Sequence, residues 1–212
     1  MLKRFLDISM ALAALLLLSP LFALTAIAVR LGICGPSIVS VRRIGRAGQP
    51  FDMYKFNTVA KASRAGAWNL RMARLLRHSH LDELPQLVNV LKGDMSLVGP
   101  RPFLPEIVDA RLPIWRQVLS VRPGISGLTQ LTFVFDECDL EENKTTWLDY
   151  TSRILRTKLA LDCHYVEYRS LRLDLAILSR TLLVLVGGGK TASMFSLLEI
   201  GKQANRPGHP IL

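Results

Sequence analysis

A long uncharged segment near the amino terminus constrains this chain more than any other feature. The run ISMALAALLLLSPLFALTAIAV lies between Asp7 and Arg30 and holds 22 residues without a charge. As a continuous helix it would extend about 33 Å, which is enough to cross the hydrocarbon core of a bilayer. The whole chain has 212 residues, so it has room for one compact domain beside this segment.

The flanks and the middle of the segment allow three interpretations. A cleaved signal peptide would explain Lys3 and Arg4, but the run is longer than a usual apolar core and no clear cleavage site follows it. A single transmembrane span is the second interpretation. The third is a re-entrant hairpin, because both flanks are basic and positive charge marks the cytoplasmic side. Ser19-Pro20 favours a bend, since proline kinks a helix and a serine hydroxyl can bond a freed carbonyl. The residues alone leave span and hairpin about even.

The positive charge of the chain is concentrated beside this segment. The formal net charge is +10, and residues 1–80 hold nearly half of the basic residues but only two acidic ones, Asp7 and Asp52. This location favours a membrane surface or a phosphorylated substrate over a nucleic-acid groove, so we expect no nucleic-acid partner. The three cysteines are an odd number without metal-binding spacing, which indicates a reducing compartment.

The remainder of the chain predicts an α+β fold. SIVSVRRIG and FDMYKFNTV predict two strands of a small β-hairpin around the turn RAGQP. Helical spacing predicts helices over residues 68–77, from Asp82 to about Gly93, and within 146–186. Residues 103–120 predict an amphipathic helix, either in the membrane interface or packed on the core. We expect a turn at 122–127, a strand at 128–135, an acidic loop at 136–143 and a poorly ordered tail from 191.

Two adjacent carboxylates, Asp82 and Glu83, stand in the stretch HSHLDELPQLVNVLKGDMSLVGPRP. As structure, Asp82 would cap a helix, Glu83 would lie in its first turn, and Ser79 has a capping-box spacing. As chemistry, adjacent carboxylates near a diphosphate suit Mg²⁺, and glycine loops let a backbone approach a ligand. Arginines that could hold phosphate occur nearby at positions 74, 77, 101 and 122. An isolated pair favours capping, whereas these surroundings favour chemistry.

These stretches carry a family resemblance. LDELPQLVNVLKGDMSLVGPRP, together with YKFNTV, VRPGISG and LDCHYVEYRSLRLDLAIL, resembles the bacterial sugar transferases, more specifically the minimal catalytic form of the monotopic polyprenyl-phosphate phosphoglycosyl transferases. The resemblance covers roughly residues 1–188. It implies a re-entrant membrane helix over 1–31, bent at Ser19 and Pro20, and thereby tips the choice towards the hairpin. It also implies a cytosolic domain over 32–190, mostly helical with interfacial amphipathic helices, and a tail over 191–212.

The resemblance further implies an activity. Such enzymes transfer sugar 1-phosphate from a UDP-sugar to polyprenyl (undecaprenyl) phosphate and release UMP, at the cytoplasmic face of the bacterial inner membrane. They initiate exopolysaccharide, O-antigen or glycoprotein glycan assembly. Asp82 is then the nucleophile, forms a covalent phosphosugar intermediate and binds Mg²⁺, and Glu83 supports it or acts as a base. Arg77 and Arg101 would hold phosphate, with Lys55 and Arg122 as further substrate-binding residues. Membrane lipids are expected partners, and a homodimer is left open.

Departures from the family pattern leave an alternative. The motif usually written KFRTM reads KFNTV here, so Asn57 replaces its arginine. His80 stands where a small hydroxyl residue is common, and Val134 stands where a further arginine is expected. Arg153 or Arg156 could then supply the missing phosphate contact. The alternative function is a membrane-anchored protein that binds a nucleotide sugar or lipid and has lost catalysis.

Overall fold

The computed structural model describes residues 1–32, 35–58, 67–132 and 155–187. These residues form two compact units. Unit 1 comprises Met1–Arg43 and Phe51–Leu97, and unit 2 comprises Ile44–Pro50 and the chain from Val98 onwards. The acidic loop at 136–143, Val134, Arg153 and the tail from 191 lie outside the described residues, as do Cys34 and Cys138.

The described chain mixes helices with short strands, which confirms the α+β class. The elements in chain order are α1 Leu2–Leu17, α2 Ser19–Gly32, β1 Ile38–Ile44, β2 Pro50–Phe56, α3 Ala67–His78, α4 Gln86–Lys92, β3 Ser96–Val98, α5 Pro113–Val118, β4 Gly124–Ser126, α6 Leu128–Thr132, α7 Leu155–Tyr168 and α8 Leu171–Gly187. The predicted hairpin is confirmed, because β1 and β2 pair in a two-stranded sheet around a short 3₁₀ turn at Arg46–Gly48.

The uncharged segment is a pair of helices bent by 64°. The bend lies at Leu18, directly before Ser19-Pro20, as the sequence predicts. Proline has no N–H to give to the carbonyl of Leu16, four residues earlier, and the Ser19 hydroxyl donates to that carbonyl instead, at 2.8 Å. Among the described residues no single helix has the length and apolarity to cross a membrane. Helices α1 and α2 together have that length and apolarity, as the two arms of a broken span or of a re-entrant loop would.

Helix α2 packs against the elements of unit 1 that surround the acidic pair. Val29 of α2, Phe56 of β2 and Ala73 and Leu76 of α3 form a buried apolar cluster. The Phe22 ring of α2 also lies 5.0 Å from the Phe56 ring, centroid to centroid. The second arm of the bent pair is therefore part of the core of unit 1, and it is not a separate anchor.

Unit 2 has its own core, and this core corrects the expectation for residues 103–120. Only Pro113–Val118 form a helix there, with proline in its first turn. The apolar residues expected to face a membrane are covered: Trp115 and Val118 are each 2% exposed. They pack with Phe103, Leu159 and other buried residues, and the Phe103 and Trp115 rings meet edge to face at 4.9 Å. The core-packed alternative is correct for this segment, and an interfacial helix is not.

Two further expectations for unit 2 are wrong. RPGISG contains strand β4 where a turn was expected, because Gly99 N–H donates to Ser126 O at 2.9 Å and Gly124 N–H donates to Pro100 O at 2.8 Å. The expected strand at 128–135 begins as helix α6, which ends at Thr132 within the described residues. Alternating threonine and leucine resembles a strand, but Leu128, Thr129 and Leu131 are all buried on this short helix.

The glycines of VGPRP and RPGISG meet each other within unit 2. A Cβ on Gly99 would lie 2.5 Å from the Arg122 carbonyl oxygen, and a Cβ on Gly124 would overlap the Gly99 nitrogen. A Cβ on Gly127 would likewise overlap the Gly99 oxygen. Within unit 2 these glycines therefore let two backbone loops touch each other. The contact fixes the loops that carry Arg101 and Arg122.

Candidate active site

The acidic pair lies in a single 3₁₀ turn, Leu81–Glu83, between α3 and α4. The two leucines of LDEL, Leu81 and Leu84, face the core, and the two carboxylates lie between them in the sequence. Leu81 and Leu84 pack against the apolar cluster of unit 1 that contains Val29, Phe56, Ala73 and Leu76. These contacts attach the turn to the core of unit 1. The backbone that carries the two carboxylates is thereby held in place.

The capping interpretation of this turn is wrong. Helix α4 begins at Gln86, its N-cap position is Pro85, and that position makes no side-chain capping bond. The Ser79 hydroxyl donates backwards, to Leu75 O at 2.8 Å and Leu76 O at 3.2 Å, so it satisfies the end of α3. The predicted helix end at Gly93 is correct, because Gly93 adopts a left-handed conformation with φ 95°.

His80 now has a structural explanation. Its backbone is left-handed, with φ 54° and ψ 16°, directly before the 3₁₀ turn. A non-glycine residue in this conformation costs on the order of 1 kcal/mol or more. The strained residue interrupts the helical backbone after α3, so that Asp82 does not continue that helix. His80 therefore shapes the turn through its backbone.

Asp82 is the most enclosed acid of this turn. It is 4% exposed, and the Lys55 Nζ of β2 lies 3.9 Å from its Oδ2. Burial raises the pKa of Asp82 to about 6, and the charge of Glu83 adds to this increase. Lys55, a backbone N–H and Arg77 act in the opposite direction. A raised pKa in a desolvated position makes Asp82 a candidate reactive group, although Asp162 of unit 2 shows that burial alone has the same effect.

Arg77 and Glu83 complete the part of the site in unit 1. Arg77, in the last turn of α3, donates to the Thr58 carbonyl at 3.2 Å. Glu83 is half-buried beside Asp82. Unit 1 thus brings together four of the predicted site residues: Lys55, Arg77, Asp82 and Glu83.

The residue that replaces the motif arginine has a structural role. Asn57 is 9% exposed, its Nδ2 donates to Pro36 O at 3.3 Å, and its N–H donates to Ser37 O at 2.9 Å. It secures the chain that connects α2 to β1. The altered motif is the basis of the alternative function without catalysis. Its altered residue, Asn57, holds the backbone at Pro36 and Ser37 in place.

Arg101 and Arg122 belong to unit 2. The backbone N–H of Arg101 bonds the carboxylate of Asp162, which also accepts a 2.6 Å bond from Thr129 Oγ1. Burial raises the pKa of Asp162 to about 7, although Thr129, Arg101 and Lys158 lower it. Arg122 lies at the loop contact of Gly99 and Gly124 described above. Arg156, the proposed replacement cation, is exposed on α7.

Sequence reasoning missed Asp162 and its neighbours. Asp162 is 1% exposed and Lys158 is 2% exposed, one helical turn apart on α7. Two charged residues at i and i+4 ordinarily indicate a solvated helix face, so the spacing alone is misleading. The sequence LRTKLALDCHYVEY has no regular apolar stripe and is not apolar all round, so it gives no local signal of this burial.

The comparisons with known proteins identify the family of the chain. The family model described as bacterial sugar transferase matches residues 1–188. The "UDP-glucose:undecaprenyl-phosphate glucose-1-phosphate transferase" of Caulobacter vibrioides is 36% identical over 191 residues, which cover 84% of this chain and 67% of that protein. The "Uncharacterized sugar transferase EpsL" of Bacillus subtilis is 36% identical over 188 residues, or 85% of each chain.

A third relative is longer. The "UDP-N-acetylgalactosamine-undecaprenyl-phosphate N-acetylgalactosaminephosphotransferase" of Aeromonas hydrophila is 33% identical over 198 residues, which cover 88% of this chain but 44% of that protein. The chain belongs to the bacterial sugar transferase family, because the family model matches most of its length.

Proposed function

We propose that this protein transfers a sugar 1-phosphate from a UDP-sugar to undecaprenyl phosphate and releases UMP. The observation that carries the proposal is Asp82, a buried carboxylate beside Lys55 in a chain that belongs to the sugar transferase family. The names of the Caulobacter and Aeromonas relatives support both the donor class and the acceptor.

The proposed reaction has two steps. A carboxylate oxygen of Asp82 attacks the β-phosphorus of the UDP-sugar, and the bond from that phosphorus to the bridging oxygen breaks. UMP leaves with this oxygen, and Asp82 carries the phosphosugar as an acyl phosphate. A phosphate oxygen of undecaprenyl phosphate then attacks the same phosphorus. The acyl phosphate bond breaks, Asp82 is regenerated and undecaprenyl diphosphosugar forms.

The charged residues of unit 1 have distinct parts in this proposal. Lys55 faces the Asp82 oxygens and favours their ionised form before attack. Arg77, near the same carboxylate, contributes positive charge for the phosphates of the donor. Glu83 raises the basicity of its neighbour through like charge, which strengthens the nucleophile. Arg101 and Arg122 are proposed as further phosphate ligands.

Mg²⁺ fits the acids of the turn. Within the described ranges, no group of three or more His, Cys, Asp or Glu residues could hold a metal ion by itself. The repulsion between Asp82 and Glu83 is what a divalent cation would relieve, and magnesium commonly uses one or two carboxylates plus substrate phosphates. We propose Asp82 as the protein ligand. When bound, the ion would neutralise part of the charge on the diphosphate.

We also propose that the bent pair α1–α2 is re-entrant and places the site at the cytoplasmic face of the inner membrane. Basic residues flank both ends of the pair, at Lys3, Arg4 and Arg30. The acceptor is a membrane lipid, so a catalytic turn packed on α2 would lie close to the lipid headgroups. Cysteines introduced at residues 2 and 45 should both be labelled from the cytoplasmic side, and labelling from opposite sides would exclude re-entry.

The experiment that tests the reaction is UMP release with and without acceptor. Purified protein in detergent is incubated with Mg²⁺ and a panel of UDP-sugars, first without undecaprenyl phosphate. A covalent mechanism gives up to one UMP per protein and a hydroxylamine-sensitive phosphosugar label, and adding acceptor allows turnover. D82N should lose both signals, whereas the exposed Glu106→Gln control should keep them. No UMP with any donor would refute the activity, and UMP release that always requires acceptor would refute the intermediate.

A further inference from the structure

The first turns of α1 make polar contacts that a purely lipid-embedded helix would not make. Arg4 Nη1 donates to Val90 O at 2.7 Å and Nη2 donates to Leu91 O at 3.1 Å. These carbonyls belong to the last turn of α4, where Val90 O also accepts from the Gly93 N–H at 3.1 Å. A guanidinium can satisfy two of them at once, and its charge suits the negative end of a helix.

Asp7 forms a second connection, one turn further along the same face of α1. It is 6% exposed and accepts bonds from Ser96 Oγ, at 3.0 and 2.9 Å to its two oxygens, and from Leu97 N–H at 3.1 Å. Ala11, the next residue of this face, is 0% exposed. Asp7 is thus a buried acid whose oxygens are bonded to β3 within unit 1.

Helix α4 links these contacts of α1 to the candidate active site. Its residue Asn89, 0% exposed, accepts from Tyr54 N–H at 2.9 Å and donates from Nδ2 to Asp52 O at 2.7 Å. Both partners lie in β2, the strand that carries Lys55. The other end of α4 follows the turn of Asp82 closely in sequence. A displacement of α4 would therefore change the relation between Lys55 and Asp82.

We infer that Arg4 and Asp7 are positioning residues of the transfer site: they fix the first turns of α1 on α4 and β3, and thereby hold Asp82 beside Lys55. The inference rests on the proposed function for the reaction whose rate it affects. Arg4 then does more than mark the cytoplasmic side of the apolar segment by its positive charge. The two roles make different predictions for substitutions that keep the charge.

The test compares R4K, R4Q, D7N and S96A with wild type and with Ser9→Ala, which removes a hydroxyl from an exposed position of α1. Membrane flotation and thermal unfolding define the folded, membrane-bound fraction. For that fraction we expect kcat to fall about ten- to hundredfold in D7N, S96A and R4Q, as small misplacements of reacting groups do. KM for the donor should stay within about twofold, since none of these residues is proposed to touch the donor.

R4K is the discriminating variant. Lysine keeps the positive charge but cannot present the planar fork that bonds two carbonyls, so kcat should fall although membrane insertion is normal. Hydrogen exchange gives a readout that does not depend on turnover: the Leu97 amide should exchange faster in D7N than in wild type or S9A.

The outcomes separate the two proposals. Wild type that releases no UMP refutes the proposed function. Active wild type together with R4K, D7N and S96A that keep wild-type kcat refutes the positioning role alone. The same conclusion follows if Leu97 exchange is unchanged in D7N, or if activity falls only in proportion to the membrane-bound fraction.

Discussion

The Asp82→Asn variant should be inactive and yet more stable than wild type at alkaline pH. Burial raises the pKa of Asp82 from 3.8 to about 6 in the folded protein. A raised carboxyl pKa means that the folded state binds the proton more tightly than the unfolded state does. Ionisation therefore opposes folding, and this penalty grows as the pH rises from about 4 and is complete above about 6. A shift of about two units corresponds to ~3 kcal/mol.

Asparagine removes the charge and therefore the penalty. For a chain of this size the gain corresponds to a rise in Tm of roughly 6–12 °C at pH 8. This is an upper value, because asparagine leaves the Lys55 ammonium without the carboxylate that faces it. At pH 4 the carboxyl is largely protonated in the folded protein, so the difference in free energy of unfolding should shrink below about 1 kcal/mol.

The assay is thermal unfolding of wild type, D82N and the exposed-site control E106Q in detergent from pH 4 to pH 8. A chelator and the absence of nucleotide keep ligands from contributing to stability. The difference between D82N and wild type should grow with pH, whereas the control should show no such trend. A D82N protein that is less stable than wild type at pH 8, or a difference that does not change with pH, would refute the idea that the buried carboxylate of Asp82 is held at the expense of stability.

Three further outcomes are expected. Lys55→Met removes a charge that lowers the pKa of Asp82, so the acid limb of the pH–rate profile should move to higher pH and the rate at pH 7 should fall; K55R should largely keep the wild-type profile. Gly124→Ala puts a Cβ into the opposing backbone and should prevent stable folding, whereas Gly48→Ala, with nothing within 4 Å, costs only the strain of φ 74°; soluble yield and Tm distinguish them. Pro20→Leu restores the missing donor and should straighten the helix pair, so that cysteines at residues 2 and 45 become accessible from opposite sides; same-side labelling would show that proline does not cause the bend.

The parts of the fold that follow from neighbouring residues could be predicted from the sequence. The β1–β2 hairpin rests on two short strand patterns around a turn, and all its determinants lie within 38–56. The bend at Leu18 rests on a missing proline donor and a serine hydroxyl next to it. Helix α3 and the end of α4 at Gly93 were likewise local features.

Several of the errors concern contacts between residues distant in sequence. Strand β4 exists because Gly124 touches Gly99, 25 residues earlier, and a turn-like composition does not reveal that contact. The hydrogen bonds of Arg4 and Asp7 join residues that are 86 to 90 positions apart in the sequence. In the sequence the two residues resemble flanking charges of an apolar segment, and only the fold shows their bonds to α4 and β3. The buried pair Lys158 and Asp162 was missed for the same reason.

The position of Asp82 meets the demands of the proposed nucleophile and not those of helix capping, which the sequence presents as alternatives. A carboxylate that caps a helix accepts backbone hydrogen bonds, which stabilise its charge and make it a weaker base. A nucleophile needs the reverse, yet it must remain ionised at neutral pH. The left-handed backbone of His80 takes Asp82 out of a regular helix start, and burial then raises its pKa to about 6. At pH 7 a group with this pKa is still roughly nine-tenths ionised. Without the positive charge of Lys55 the same burial would leave a larger protonated fraction, so Lys55, together with a backbone N–H and Arg77, limits how far desolvation raises the pKa of the carboxylate.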